Sequence, residues 1–359
     1  FIPPFPGPAY ERMFSNLLTG RHLSPVSAFL AVTDACSYGC RHCSYRNRGH
    51  GDLGVDRWRS IIGQLTDLGV SIIGFTGGEP LLRNDLDSLV AEAARRNITT
   101  ILFTSGAGAT AARIHALMRA GLWACCVSLD DDHAEGHDRA RGFAGAFDQA
   151  LSTLEWSRSA NLYTMIGSVA TRPFVEQRIY GRIHALGRRL GIDEYRLVEP
   201  MPCGALEHAG DALLSRDHIA TLRAFHVATN RQGWTPKVCA FNQIESPEIF
   251  GCGAGTQHLF IEADGMVCPC DFTPLGFGSA VDEPLAAIWA RMNRAMGDNP
   301  RQRCFIQQHH ALVNRLADGC YPTPAAVSEA ICREAGGGPL PGYFAMVNQQ
   351  PEGVPPHAK

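Results

Sequence analysis

Short runs rich in β-branched and aromatic residues recur through the first two-thirds of the chain. They lie at Ala28–Thr33, Ser71–Phe75, Thr99–Thr104, Trp123–Leu129, Tyr163–Val169 and Glu194–Val198. The stretches between them carry the three-and-four spacing of amphipathic helices. In Val55–Gly69, for example, Trp58, Ile61, Ile62, Leu65 and Leu68 share one face. Asp52 or Asp56 is placed to cap that helix and Gly69 to end it, while Asn84 or Asp85 opens a second helix reaching Arg96. Six strand–helix alternations predict an α/β fold on a parallel sheet. Six units fall short of the eight that close a barrel, so an open partial (βα)6 barrel is expected.

After Val198 the pattern breaks. A Pro/Cys/Gly stretch, Glu199–Gly204, leads to a helix near Leu213–Asn230. A hairpin follows, in which Leu259–Ile261 and Met266–Cys268 flank Asp264-Gly265, and then a helix over Ala287–Met296. Proline and glycine are dense from Gly319 onward. The reading is an N-terminal extension (1–27), a barrel (28–223), a smaller, irregular C-terminal domain held partly by metal (224–345) and a tail (346–359).

Composition changes this picture at one point. The chain of 359 residues is 45% hydrophobic and 19% charged with net charge −3, a balance that suggests neither a nucleic-acid nor a membrane partner. No apolar run approaches the roughly 20 residues of a membrane span. The opening Phe1-Ile-Pro-Pro-Phe-Pro-Gly-Pro is too proline-rich for a signal peptide, and the missing initiator Met suggests further residues upstream. The exception is thirteen cysteines. Disulfides suit small secreted domains with weak cores, and an odd count in a long chain fits metal or cluster ligation in a reducing cytoplasm better.

Three of them stand together as Cys36, Cys40 and Cys43, in the loop after the first strand. Loops at strand C-termini form the active sites of βα barrels. Three thiolates on a four-iron cluster leave one iron without a protein ligand, and an open coordination position is what catalysis at a metal uses. A zinc site is the rival on ligand count, because His42 and His50 are close by. The second strand ends in Phe75-Thr76-Gly77-Gly78-Glu79-Pro80, where two glycines allow close backbone approach and Glu79 offers an acceptor for an ammonium group. Taken alone, that segment also reads as an ordinary turn before a helix.

Together the two motifs resemble the radical S-adenosylmethionine (SAM) superfamily. Its signature is a CxxxCxxC loop after strand one, with an aromatic residue or His before the last Cys, and a GGE-type motif after strand two. Here these are Cys36, Cys40, His42 and Cys43, then Gly77, Gly78, Glu79 and Pro80, within a match over roughly 28–200. The resemblance implies a [4Fe-4S] cluster on Cys36, Cys40 and Cys43, with SAM chelating the open iron and Gly77, Gly78 and Glu79 holding its amino group. An external one-electron reductant such as flavodoxin or ferredoxin drives cleavage of SAM. The resulting 5′-deoxyadenosyl radical removes a hydrogen atom from the substrate. Other strand ends would finish the pocket through Ser105, Ser128, Asp130 and Ser168, though each could be an ordinary strand-end hydrogen bonder.

Cys252, twelve residues, Gly265, two residues and Cys268-Pro-Cys270 resemble the opening of the SPASM/twitch extension, whose cysteines ligate an auxiliary cluster. The family's later CxxCx5C run is absent. One auxiliary [4Fe-4S] cluster is expected on Cys252 and Cys270 plus two further cysteines, taken as Cys239 and Cys304, with Cys268 and Cys320 as alternates. Buried free thiols are the bland alternative. Cys125 and Cys126 read as core, only one of the two facing the barrel interior.

The substrate is the least legible part. With 35 residues ahead of Cys36, neither a cobalamin domain nor a leader-peptide domain is expected. The loop after strand four is acidic (Asp130, Asp131, Asp132, Glu135, Asp138) and Glu199 follows strand six, which suits a small amine or polyol such as an aminosugar or nucleoside. Modification of a ribosomal peptide is the alternative, and a non-catalytic cluster protein a third. The substrate radical could be oxidised by the auxiliary cluster, could take a hydrogen atom from a thiol with inversion, or could receive sulfur from that cluster. Cys203, just past the sixth strand, is the candidate thiol.

Overall fold

The computed structural model describes residues 2–18, 24–48, 51–209 and 212–348. His50 and most of the expected tail lie outside them. Nine strands form one open sheet: β1 (Ser27–Thr33), β2 (Ile72–Gly77), β3 (Thr99–Thr104), β4 (Ala124–Ser128), β5 (Tyr163–Val169), β6 (Glu194–Val198), β7 (Lys237–Ala240), β8 (His258–Ile261) and β9 (Val267–Cys268). The spatial order is β7-β6-β5-β4-β3-β2-β1-β8-β9. Neighbours from β1 to β7 are parallel, so the expected open (βα)6 barrel is present with β7 added beside β6.

Two-residue alternation sorts each strand. On β4, Cys125 joins the large core beneath the outer helices, while Cys126 turns inward. Inside the barrel, Met13, Phe14 and Leu17 of the helix Pro8–Leu18 pack against Ile72, Ile101, Cys126 and Met165. The N-terminal extension therefore seals the barrel floor.

Two boundaries differ from expectation. The helix Arg216–Arg231 runs unbroken through positions 223–224 and packs on β7, so the barrel does not end there. The expected hairpin is β8–β9, with Phe260 opposite Cys268, but β8 also pairs in parallel with β1 from Ser27↔His258 to Leu30↔Ile261. Asp52 does not cap the next helix. It accepts from Thr33 Oγ1 and from Asp34 N, and Gly54 holds the cap position.

The cluster loop and the C-terminal hairpin are tied by one ion pair. Arg48 and Glu262 are each 1% exposed; Arg48 Nε donates to Glu262 Oε1 at 3.0 Å and Nη1 donates to the Asp271 carbonyl. Burial alone would pull the Arg48 guanidinium down, yet Glu262, Cys268 and Cys203 together outweigh it and keep the group above its usual value. Among the described residues, no helix is long and apolar enough to cross a membrane.

Candidate active site

Glycine geometry fixes the entrance to the Cys36–Cys43 loop. Gly77 has φ +119, Gly78 N donates to Thr33 O at 2.8 Å and Glu79 N donates to Ala35 O at 2.8 Å. A Cβ on Gly78 would overlap the Ala35 carbonyl, so only glycine lets the end of β2 lie against the chain just ahead of Cys36. A second glycine braces the far end. Gly204 has φ +56, a Cβ there would overlap the carbonyls of Cys43 and Ser44, and Ala205 N donates to Cys43 O at 2.8 Å.

Cys36, Cys40, Cys43 and His42 line one cavity of about 910 Å³ that fills the barrel interior. Beside Cys40 lies Arg141, 8% exposed, with Nη1 at 3.8 Å from Cys40 Sγ and Nη2 at 2.6 Å from Asp130 Oδ2. His42 Nε2 contacts the same carboxylate oxygen at 3.3 Å, and Val169 N donates to Asp130 Oδ1 at 3.0 Å. Burial pushes Asp130 up, but Arg141, His42, His137 and the Val169 amide together outweigh it and hold the carboxyl below its usual range. Asp130 itself does not line the cavity; it holds Arg141 and His42, which do. Sequence reasoning missed Arg141, since nothing in Asp138-Arg139-Ala140-Arg141 distinguishes the buried arginine from its exposed neighbour.

Glu79 differs from expectation. It is 1% exposed and its carboxylate is fully engaged: Oε1 accepts from Leu81 N (3.1 Å) and Thr104 Oγ1 (2.7 Å), and Oε2 accepts from Ser105 N (2.8 Å) and Ser105 Oγ (2.6 Å). The side chain knits β2 to the end of β3 rather than offering itself to an ammonium group. Gly77, Gly78, Ser105, Ser128 and Ser168 all line the cavity, with the Ser168 hydroxyl committed to the Leu129 carbonyl.

Cys252, Cys270 and Cys304 line the same cavity. An antiparallel bridge between Cys252 and Arg301 brings Cys304 alongside Cys252, and a hydrogen bond from Cys304 pulls the Cys252 thiol down to about 6 despite burial. Cys270 Sγ lies 3.2 Å from Thr273 Oγ1. Cys239 does not join them: on β7 it sits beside Arg196 and Glu194 of β6, because the strand pairing Arg196↔Cys239 fixes it there. Cys268 faces Glu262 and Cys320 is exposed. Cys203 is buried and lines a small second pocket with Arg46, Arg48 and Gly204 rather than the main cavity.

The donor sets suit clusters. Among the described residues, the only three His, Cys, Asp or Glu ligand atoms mutually within 4.8 Å are on Asp131, Asp132 and His133. A lone zinc, with Zn–S about 2.3 Å, holds its sulfurs about 3.8 Å apart, so the wider spread of Cys36, Cys40 and Cys43 weighs against it. The acidic loop is not at the mouth. Asp132 pairs with Arg182 (2.8 Å) and His133 (3.1 Å), Glu135 with Arg139, and Asp138 accepts from Gly145 N and Phe147 N. Glu199, Glu245 and Asp271 line the cavity instead. Burial raises all three, Asp271 to about 6.

Comparison with known proteins agrees with this arrangement. The model of the Radical SAM superfamily matches residues 30–179, and that of the SPASM iron-sulfur cluster-binding domain matches 252–320. An AdoMet-dependent heme synthase of Nitratidesulfovibrio vulgaris is 26% identical over 297 residues, covering 75% of this chain and 80% of the relative. A PqqA peptide cyclase of Methylocella silvestris is 33% identical over 290 residues, covering 74% of each. In fold, the chain resembles Streptococcus suis SuiB bound to its precursor peptide SuiA (TM-score 0.64, 14% identity, 78% of this chain, 67% of that one). It also resembles anSMEcpe with bound AdoMet (TM-score 0.63, 16% identity, 91% of this chain, 100% of that one). The cysteine loop, the glycine clamp and the iron–sulfur extension thus meet in one molecule: the chain belongs to the radical SAM superfamily, as an enzyme with a C-terminal SPASM domain.

Proposed function

We propose that this enzyme removes a hydrogen atom from a small polar substrate held inside the barrel, and that the reaction ends in net oxidation. The supporting observation is one cavity lined by both cysteine sets, Cys36, Cys40 and Cys43 together with Cys252, Cys270 and Cys304. Bound there, SAM and the two clusters supply a 5′-deoxyadenosyl radical and an acceptor for the substrate's electron.

The chain's own residues do the rest. Gly77 and Gly78 present backbone to the SAM amino group, and Arg141, held by Asp130, presents N–H groups to its carboxylate. Ser105, Ser128 and Ser168 finish the SAM side, and Glu79 keeps β2 and β3 in register beneath it. With Cys203 outside the cavity, hydrogen return from that thiol loses its support. A peptide residue as substrate is a second reading, favoured by the 33% identity to a PqqA peptide cyclase.

Anaerobic reconstitution tests the reading. The wild type should hold about eight irons, and Cys36/Cys40/Cys43→Ala and Cys252/Cys270/Cys304→Ala about four each. Only the second variant should still form 5′-deoxyadenosine with dithionite. A wild type saturating at four irons, or SAM cleavage by the first variant, overturns it. With a turned-over substrate, a product lacking two hydrogens marks oxidation, whereas one solvent deuteron at an inverted carbon would replace oxidation with epimerisation.

A further inference from the structure

On β6, Arg196 lines the cavity, is 9% exposed, and has its guanidinium 5.7 Å from the Phe103 centroid and 5.0 Å from that of Phe241. The nearest carboxylate, Glu194 Oε1, stands 3.1 Å from Nε, but Nε makes no well-aligned hydrogen bond there. The guanidinium also hydrogen-bonds to the thiols of Cys126 and Cys239. A guanidinium carries five donors in a planar fork, and a buried donor without an acceptor is costly. One carboxylate and two weakly accepting thiols cannot serve five donors, so donors remain for an acceptor in the cavity that Arg196 lines.

We propose that Arg196 is the substrate's carboxylate anchor, and that the substrate is a monocarboxylate whose remaining polar groups are neutral or cationic, as in an amino acid. A carboxylate matches the fork bidentately. Glu199, Glu245 and Asp271 also line the cavity and offer acceptors to an ammonium or hydroxyl beyond the carboxylate. The inference rests on the reading of this cavity as the site of hydrogen abstraction, and is separable from it by experiment.

The test uses reconstituted holoenzyme saturated with SAM, so that SAM's own amino and carboxylate groups occupy their site. Straight-chain ω-amino acids of graded length are titrated by ligand-observed NMR, beside the amide of each. At least one length should bind; its amide, and binding to Arg196→Gln, should each be at least tenfold weaker, with Arg196→Lys intermediate. Binding by no member, equal binding of acid and amide, or affinity unchanged in both Arg196 variants overturns the proposal. SAM cleavage by the wild type is measured separately. Its absence alongside intact ω-amino acid binding would sink the proposed reaction and leave the anchor standing.

Discussion

Replacing Arg48 with Met should be among the most damaging single changes outside the cluster ligands. Arg48→Met keeps the bulk that packs between Tyr45 and Phe260, whose centroids lie 5.8 and 5.2 Å from the guanidinium carbon. It strands the Glu262 carboxylate, 1% exposed, with the Tyr45 hydroxyl and the weak Cys268 thiol at 3.6 Å but no charged partner. Removing one partner of a buried pair costs about 3–5 kcal/mol, because the survivor stays desolvated and unpaired. The Asp271 carbonyl loses its donor as well. The double variant Arg48→Met/Glu262→Met removes both charges and should recover most of the loss, since an apolar pair of similar volume is often close to neutral. Anaerobic urea unfolding of the holoenzyme should show the single variant's midpoint falling at unchanged slope. A single-variant loss below about 1 kcal/mol, or a double variant worse than the single, would refute the argument.

Glu79→Ala should cost stability rather than SAM affinity alone: it leaves the Leu81 and Ser105 amides without acceptors, at least about 2 kcal/mol by thermal or urea unfolding, with Glu79→Gln milder. Gly204→Ala forces a left-handed residue into the Cys43 carbonyl, so iron at the first site should be lost faster to a chelator while the second site keeps its iron. His137 accepts from Asp130 N, and burial followed by Arg141 lowers it to about 4. Since the folded state favours the neutral ring, stability is unaffected above pH 6.5. It should fall as pH drops from there toward 4, by up to roughly 3 kcal/mol from this group, and His137→Gln should flatten that slope.

The six barrel strands were legible because each is a β-rich run bounded by a helix with its own period, and the observed limits of β3, β5 and β6 coincide with those expected. The four-residue β7 was not legible; Lys237-Val-Cys-Ala is too short to carry a period, and it is a strand because β6 offers it a free edge. The same limit governed the site. Spacing located the cluster loop and the Cys252–Cys270 hairpin, since ligand geometry acts over a few residues. It could not say which way Cys203 and Cys239 face, nor that Glu79 would be consumed by Thr104 and Ser105, because those outcomes depend on partners far along the chain.

The parallel pairing of β8 with β1 makes the two halves of this enzyme poor candidates for separation. A protein cut after β7 would keep every residue of the first cluster loop, yet leave the Ser27–Leu30 edge of an apolar strand without its neighbour. Unpaired edges of that kind invite intermolecular association. Domain grafting between relatives faces the same obstacle. A foreign C-terminal half has to arrive with a strand of matching register, since backbone hydrogen bonds along β1, rather than a linker, set how far apart the two iron sites stand.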